Sequence, residues 1–188
     1  MDRQIALIPL ICLRCSTPIP ANPDEMAWVC ANCGQAMSLD EENGLIPQLV
    51  YYSADIPPGT PGKPYWVADG QVDLQRASYG SDKGQREEAQ RFWSQPRRFF
   101  LPAYQANLEQ LLSQGIRYLV QPPQLTETEA EAEAGGAVRF APITMDIRDV
   151  RKAAEFLVVA IEAARPDKLK ELTFDLKLSP PNLWILPQ

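Results

Sequence analysis

Cys12-Leu13-Arg14-Cys15 and Cys30-Ala31-Asn32-Cys33 are two CxxC turns with fourteen residues between them. The remaining sequence of this 188-residue chain holds no further cysteine and no histidine at all. Each turn can aim two sulfurs at one centre, and the intervening residues suffice for a hairpin that sets the second turn opposite the first. Four thiolates on this spacing point to a single tetrahedral metal site, with zinc the expected ion and zinc–sulfur bonds of about 2.3 Å. Cys12, Cys15, Cys30 and Cys33 are its candidate ligands. A site with four protein ligands has no open corner for substrate, so its expected role is structural.

The flanking residues read as short extended segments. Ile5–Ile8 leads into the first turn, Met26–Val29 into the second, and Leu45–Tyr52, interrupted by Pro47, follows. Gly34, just after Cys33, lets the backbone bend close to the sulfurs. From about Ile5 to Tyr52 the chain resembles a four-cysteine zinc ribbon, whose turns commonly read Cys-Pro-x-Cys-Gly. The first turn here, Cys12-Leu13-Arg14-Cys15-Ser16, has neither the Pro nor the Gly, and the second keeps only Gly34. The resemblance implies a β-rich module held by a structural ion and says nothing of its partner.

Two other uses of paired cysteines fit less well. Redox thiols of thioredoxin type sit at a helix start after a strand, and one pair is enough for them. Iron in the manner of rubredoxin shares the ligand type but not the short gap between the pairs.

The formal charge is −6. Four thiolates and one dication make it more negative still, so the chain as a whole repels phosphate backbones and anionic lipid. Residues 1–50 hold Arg3 and Arg14 against Asp2, Asp24, Glu25, Asp40, Glu41 and Glu42, a poor surface for nucleic acid and a better one for a protein. The apolar opening Ile5–Leu13 is too short for a membrane span and is broken by Pro9. It also makes a poor export signal, because Asp2 sits beside Arg3 and no small-residue cleavage site follows. No membrane insertion and a cytoplasmic location, where thiols stay reduced, are the expectations.

Residues 53–64, with four prolines and two glycines, read as a linker. The Gly59–Lys63 stretch fails as a phosphate loop, since Pro57 and Pro64 stand where a Gly and a Ser or Thr are required. Residues 65–188 read as a mixed α+β domain with a mainly antiparallel sheet, so the overall class is α+β. Tyr65–Ala68, Asp69-Gly70 and Gln71–Leu74 suggest a hairpin. A helix is expected over Gln85–Trp93 and a strand over Arg97–Leu101. Pro102 is expected to open a helix that buries Tyr104, Leu108, Leu111 and Leu112 and ends at Gly115, with a strand over Ile116–Val120. Glu127, Glu129, Glu131 and Glu133 mark an exposed acidic loop near 124–137. The helix from about Asp146 to Arg165 repeats Ile147, Val150, Ala154, Leu157 and Ile161 at helical spacing. Phe156, Val159, Ala160 and Ala163 widen that apolar face. Leu172, Phe174, Leu176 and Leu178 alternate as a half-buried strand, and Leu183–Leu186 forms a last one.

One basic cluster remains. Lys83, Arg86, Arg91, Arg97 and Arg98 outnumber Glu87 and Glu88 and are interleaved with Phe92, Trp93, Phe99 and Phe100. Arg86, Arg91, Trp93, Arg97 and Arg98 are the candidate interaction surface, for a protein or, as an alternative, for RNA or DNA. The bland alternative has the aromatics in the core and the arginines solvated or paired. With no histidine and every cysteine assigned to metal, a histidine general base and Ser-His or Cys-His nucleophiles are ruled out. A carboxylate-dependent enzyme in the second domain is a further alternative, although no pair is singled out by motif. The leading expectation is a non-enzymatic interaction module or assembly subunit that binds a protein partner or itself.

Overall fold

The structure is a computed structural model, and the description covers residues 8–40, 42–79, 83–125 and 139–187. Strands β1 (Ala27–Val29), β2 (Ala36–Asp40) and β3 (Gly44–Gln48) form a small antiparallel sheet beside the cysteines. A larger sheet runs β4 (Val50–Tyr52), β8 (Asn182–Leu186), β5 (Lys63–Tyr79), β6 (Arg97–Pro102), with β7 (Lys168–Leu178) also paired to β5. Helices α1 (Lys83–Trp93), α2 (Leu108–Val120) and α3 (Val150–Ala163) complete the described elements. The pairings are antiparallel except β4 with β8, so the class is α+β as the sequence implies.

The extended segment over 45–52 divides between the sheets. β3 pairs with β2, while β4 pairs with β8. The change takes place at the exposed Leu49. Pro47 has no N–H to offer a further strand and lies in β3, the edge of the small sheet. β2 was not expected from the sequence. The strand expected at Ile5–Ile8 lies outside the described residues apart from Ile8, which is not in a strand.

The expected Asp69-Gly70 hairpin is absent, because β5 runs straight through it for 17 residues. Gly70 serves close approach rather than a turn. A Cβ there would stand 2.6 Å from a ring carbon of Phe99 and 2.9 Å from Leu178. Along its first half β5 has β8 on one side and β6 on the other, and Pro64 to Ala68 are buried. Its second half pairs with β7 and alternates, with Val72, Leu74 and Arg76 inward and Gln71, Asp73 and Gln75 outward. β7 and β8 thus form one antiparallel course along β5, interrupted at Ser179-Pro180-Pro181. Across this break the Ser179 N–H donates to Asp69 O at 2.8 Å. The Ser179 hydroxyl accepts from the Asp69 N–H at 3.0 Å, so a side chain takes up a ladder position that the prolines interrupt.

α2 also differs from expectation. Pro102 closes β6 opposite Tyr65 rather than opening a helix. The helix starts after Asn107, whose side chain accepts from the Gln110 N–H at 2.8 Å. Gln110 Oε1 in turn accepts from the Asn107 N–H at 3.1 Å, completing a capping box. Gly115 lies inside the helix, where a Cβ would meet Leu157 at 2.6 Å. Ile116–Val120 is therefore helical, not a strand. Its strand-like composition is overridden by packing that buries Leu119 and sets Tyr118 edge-on to Phe100. Leu108, expected inside, is exposed in the first turn.

α3 follows a short 3₁₀ turn over Ile147–Asp149, capped by Asp146, which accepts from the Arg148 N–H at 2.8 Å. Asp149 makes no side-chain cap bond. Val150, Ala154 and Leu157 are buried as the periodicity implies, and Val158 and Glu162 join them. Phe156 and Val159 are exposed, which makes the buried stripe narrower than the composition suggested. β7 and β8 fall where expected.

Trp66, Phe99, Leu101, Leu157, Leu183 and Ile185 lie in the main core, and Tyr65, Val67, Phe100, Trp184 and Leu186 form a second cluster. Cys12, Ile19, Trp28, Cys30 and Met37 make a small core around the sulfurs. Residues 139–145 stitch the parts together. The Met26 N–H donates to Ile143 O at 2.8 Å, the Gly62 N–H to Arg139 O at 2.7 Å, and the Thr144 N–H to Ala103 O at 2.7 Å. Of the segment read as a linker, the Ser53 N–H donates to Ile185 O at 2.9 Å, and Lys63 and Pro64 already belong to β5. The acidic loop lies, from residue 126 to its end, outside the described residues.

Candidate metal centre

The two CxxC turns close with the same backbone bonds. The Cys12 N–H donates to Thr17 O at 2.9 Å and the Ser16 N–H to Cys12 O at 3.0 Å. In the second turn the Cys30 N–H donates to Gln35 O at 2.9 Å and the Gly34 N–H to Cys30 O at 2.8 Å. The residue after the second cysteine of each pair takes a positive φ, 58° at Ser16 and 73° at Gly34. Serine therefore adopts in the first turn the left-handed backbone that glycine supplies in the second. This local repeat turns both pairs of sulfurs toward one point.

The four Sγ atoms lie within 4.8 Å of one another. Cys12 and Cys33 sulfurs are 3.5 Å apart, and those of Cys15 and Cys30 are 3.6 Å apart. Sulfurs at the corners of a tetrahedron with bonds of about 2.3 Å stand about 3.8 Å apart, so the cluster has the dimensions a metal ion needs. Cys12 and Cys30 are buried and Cys15 and Cys33 half-buried, with Trp28, Ile19 and Met37 packed around them.

The thiols are not equivalent. Hydrogen bonds from the Thr17 side chain, the Asn32 side chain and the Thr17 backbone bring Cys15 down to about 5. Burial opposes ionisation of Cys12, but the N–H groups of Cys15 and Arg14 outweigh it and lower that thiol. At Cys33 the Gln35 backbone favours the thiolate, while burial and the neighbouring thiols push it up to about 12. A cation at the centre relieves that mutual repulsion and favours the thiolate at every corner.

The five residues of the candidate interaction surface differ in their surroundings. Trp93 is 1% exposed and belongs to the core. Arg97 turns back on its own segment, donating from Nε and Nη2 to Phe92 O at 3.0 and 2.8 Å while stacking over the Phe92 ring. Arg98 pairs with Asp69 at 2.7 Å. Arg86 and Arg91 are exposed on α1 and make no ion pair among the described residues.

A group that the sequence reading missed lies behind Trp93. Its indole N–H donates to Glu162 Oε1 at 2.8 Å. Arg165 Nε donates to both oxygens of Glu162, at 2.9 and 3.0 Å, and Arg76 Nη2 pairs with Asp167 Oδ1 at 2.8 Å. Arg76 Nε lies 3.0 Å from Glu162 Oε2, at an angle too bent for a hydrogen bond. The signal was present in the alternation of β5, where Arg76 follows Val72 and Leu74, and on α3, where Glu162 follows Val158 by one turn.

Two cavities bear on catalysis. One, of about 190 Å³, lies between Trp28 and Phe140, with Glu25 its one carboxylate. Glu25 is itself engaged by Asn22 and by the Trp28 indole N–H. The other, of about 220 Å³, sits at the start of α3 beside Arg148 and Arg151 and has no carboxylate. No described helix is long and apolar enough to cross a membrane. No protein-family model, no curated protein and no solved structure matches the chain.

Proposed function

We propose that the chain is a non-enzymatic, cytoplasmic zinc protein whose ribbon is a protein-contact module or assembly subunit. Cys12, Cys15, Cys30 and Cys33 hold Zn²⁺ as four thiolates. The convergence of the four sulfurs within 4.8 Å carries this reading. Iron accepts the same ligands and is the competing ion. Bound zinc supplies folding energy rather than an activated water, because protein sulfurs take all four corners.

Several observations support an interaction role over catalysis. The buried carboxylates Glu162 and Asp167 are engaged by arginines, and neither described cavity brings two carboxylates together. Ile11 and Leu13 expose apolar side chains on the first turn, 44% and 54% open, next to exposed Arg14. Apolar groups beside an arginine are a composition that protein interfaces favour. The nucleic-acid alternative retains Arg86 and Arg91 but has no stacking partner in the buried Trp93.

Elemental analysis of purified protein is expected to find one zinc per chain. An iron–thiolate absorption transfers the site to iron, and a metal-free, folded ribbon sinks both. Removing the metal with a chelator is expected to unfold the ribbon and expose Trp28. For the interaction, Leu13→Asp is expected to lose a partner captured by the wild type while keeping its zinc. A wild type that captures nothing and stays monomeric defeats the interaction reading. Tight, salt-dependent RNA binding lost in Arg86→Glu/Arg91→Glu moves the function to nucleic acid.

A further inference from the structure

The two turns share a backbone but differ in what faces their sulfurs. Thr17 and Gln35 are equivalent, each two residues beyond the second cysteine of its pair. Thr17 Oγ1 lies 3.2 Å from Cys15 Sγ and accepts from Asn32 Nδ2 at 3.3 Å. The Gln35 side chain instead donates to Ala36 O at 2.7 Å. Thr17 also accepts the Cys12 N–H through its backbone carbonyl. It therefore touches both cysteines of its own turn and, through Asn32, the opposite turn.

We propose that Thr17 is a positioning residue for the metal, its hydroxyl orienting the Cys15 sulfur and Asn32 orienting the hydroxyl. A hydroxyl has one hydrogen and two lone pairs. The Asn32 amide donates into a lone pair, so the hydrogen stays available. While Cys15 is a thiol, its own S–H can point at Oγ1. Once Cys15 has given up that proton to ligate a metal, the Thr17 O–H takes over as donor to the sulfur. The bond draws charge from one corner of an over-negative centre and holds that corner in place, as outer partners of metal ligands generally do.

The proposal rests on the metal site and is tested on the whole chain. Zinc affinity is measured by competition with a chromophoric chelator, and cobalt substitution reports the sulfur-to-metal charge-transfer band. Thr17→Val, which keeps the shape and removes the hydroxyl, is expected to weaken zinc binding about 10- to 100-fold and to shift the cobalt band. Thr17→Ser restores both, and Asn32→Ala weakens binding in the same direction. If the wild type binds zinc and Thr17→Val matches it within about twofold, the proposal is overturned while the metal site stands. If the wild type binds no metal, the site itself falls and the proposal with it. Should Thr17→Val fail to fold, Asn32→Ala decides, and an unchanged affinity overturns the proposal.

Discussion

Arg76 and Glu162 are a buried ion pair, Nε to Oε2 at 3.0 Å, with side chains 2% and 0% exposed. They join the long central strand β5 to helix α3, and Trp93 of α1 donates to the same carboxylate. Removing one member strands the others in a medium that solvates charge poorly. Glu162→Ala is expected to lower stability by about 3–5 kcal/mol, measured by denaturant unfolding. A loss under about 1 kcal/mol would show that water enters the site and replaces the carboxylate.

Asp167 gives this cluster a pH signature. Its hydrogen bond to Arg76, worked against by burial, holds the carboxyl below its ordinary value of 3.8. A depressed carboxylate adds stability that is complete above the unfolded value and disappears as pH falls through the folded one. The unfolding midpoints of wild type and Asp167→Asn should therefore differ by a constant amount near neutral pH. The gap should close as pH falls below 3.8. Acid release of an ion held by the four cysteines would affect both proteins alike and cancel in the difference.

Ser16 holds φ at 58°, where a side chain is strained. Ser16→Gly removes that strain, offset in part by the greater freedom of glycine in the unfolded chain, for a net gain of about 0.5–1 kcal/mol. On the proposed zinc site, the ion would be held only by the folded turn, so zinc affinity should rise about two- to fivefold. Gly34→Ala should move it the other way.

Asp73 and Asp175 stand directly opposite each other in the β5–β7 ladder, both exposed. Like charges at facing positions repel, so Asp175→Lys should stabilise the protein by about 0.2–1 kcal/mol. High salt should shrink the gain, since it screens exposed charges. An unchanged denaturation midpoint at low salt would show that the two side chains splay apart.

The legible parts were those whose signal is local. Paired cysteines announce through spacing alone that they will cluster, and β7 shows its buried face by alternation. Elements whose state depends on distant partners were read wrongly. Asp69-Gly70 has the composition of a turn, yet Gly70 is small because Phe99 and Leu178 press on it. Ile116–Val120 has the composition of a strand, yet Gly115 lets that segment lie against Leu157 as a helix. Phe156 and Val159 were placed inside because they are apolar, while the charged Glu162 occupies a buried position through Arg76, Arg165 and Trp93. The convergence of the four cysteines could be read from the sequence, but not the contact from Thr17 to Cys15 and Asn32, which depends on how the two turns face each other.

The passage of the chain from β3 to β4 at Leu49 bears on the order of folding. Contacts within the small sheet and the two cysteine turns join near neighbours in sequence, so little loop closure opposes them. β4 has to wait, because Val50 pairs with Leu183, most of the chain away. Closing so long a loop is slow and brings its reward last. The small sheet is thus tied to a strand whose partner comes from the far end of the chain, and β8 bridges β4 and β5.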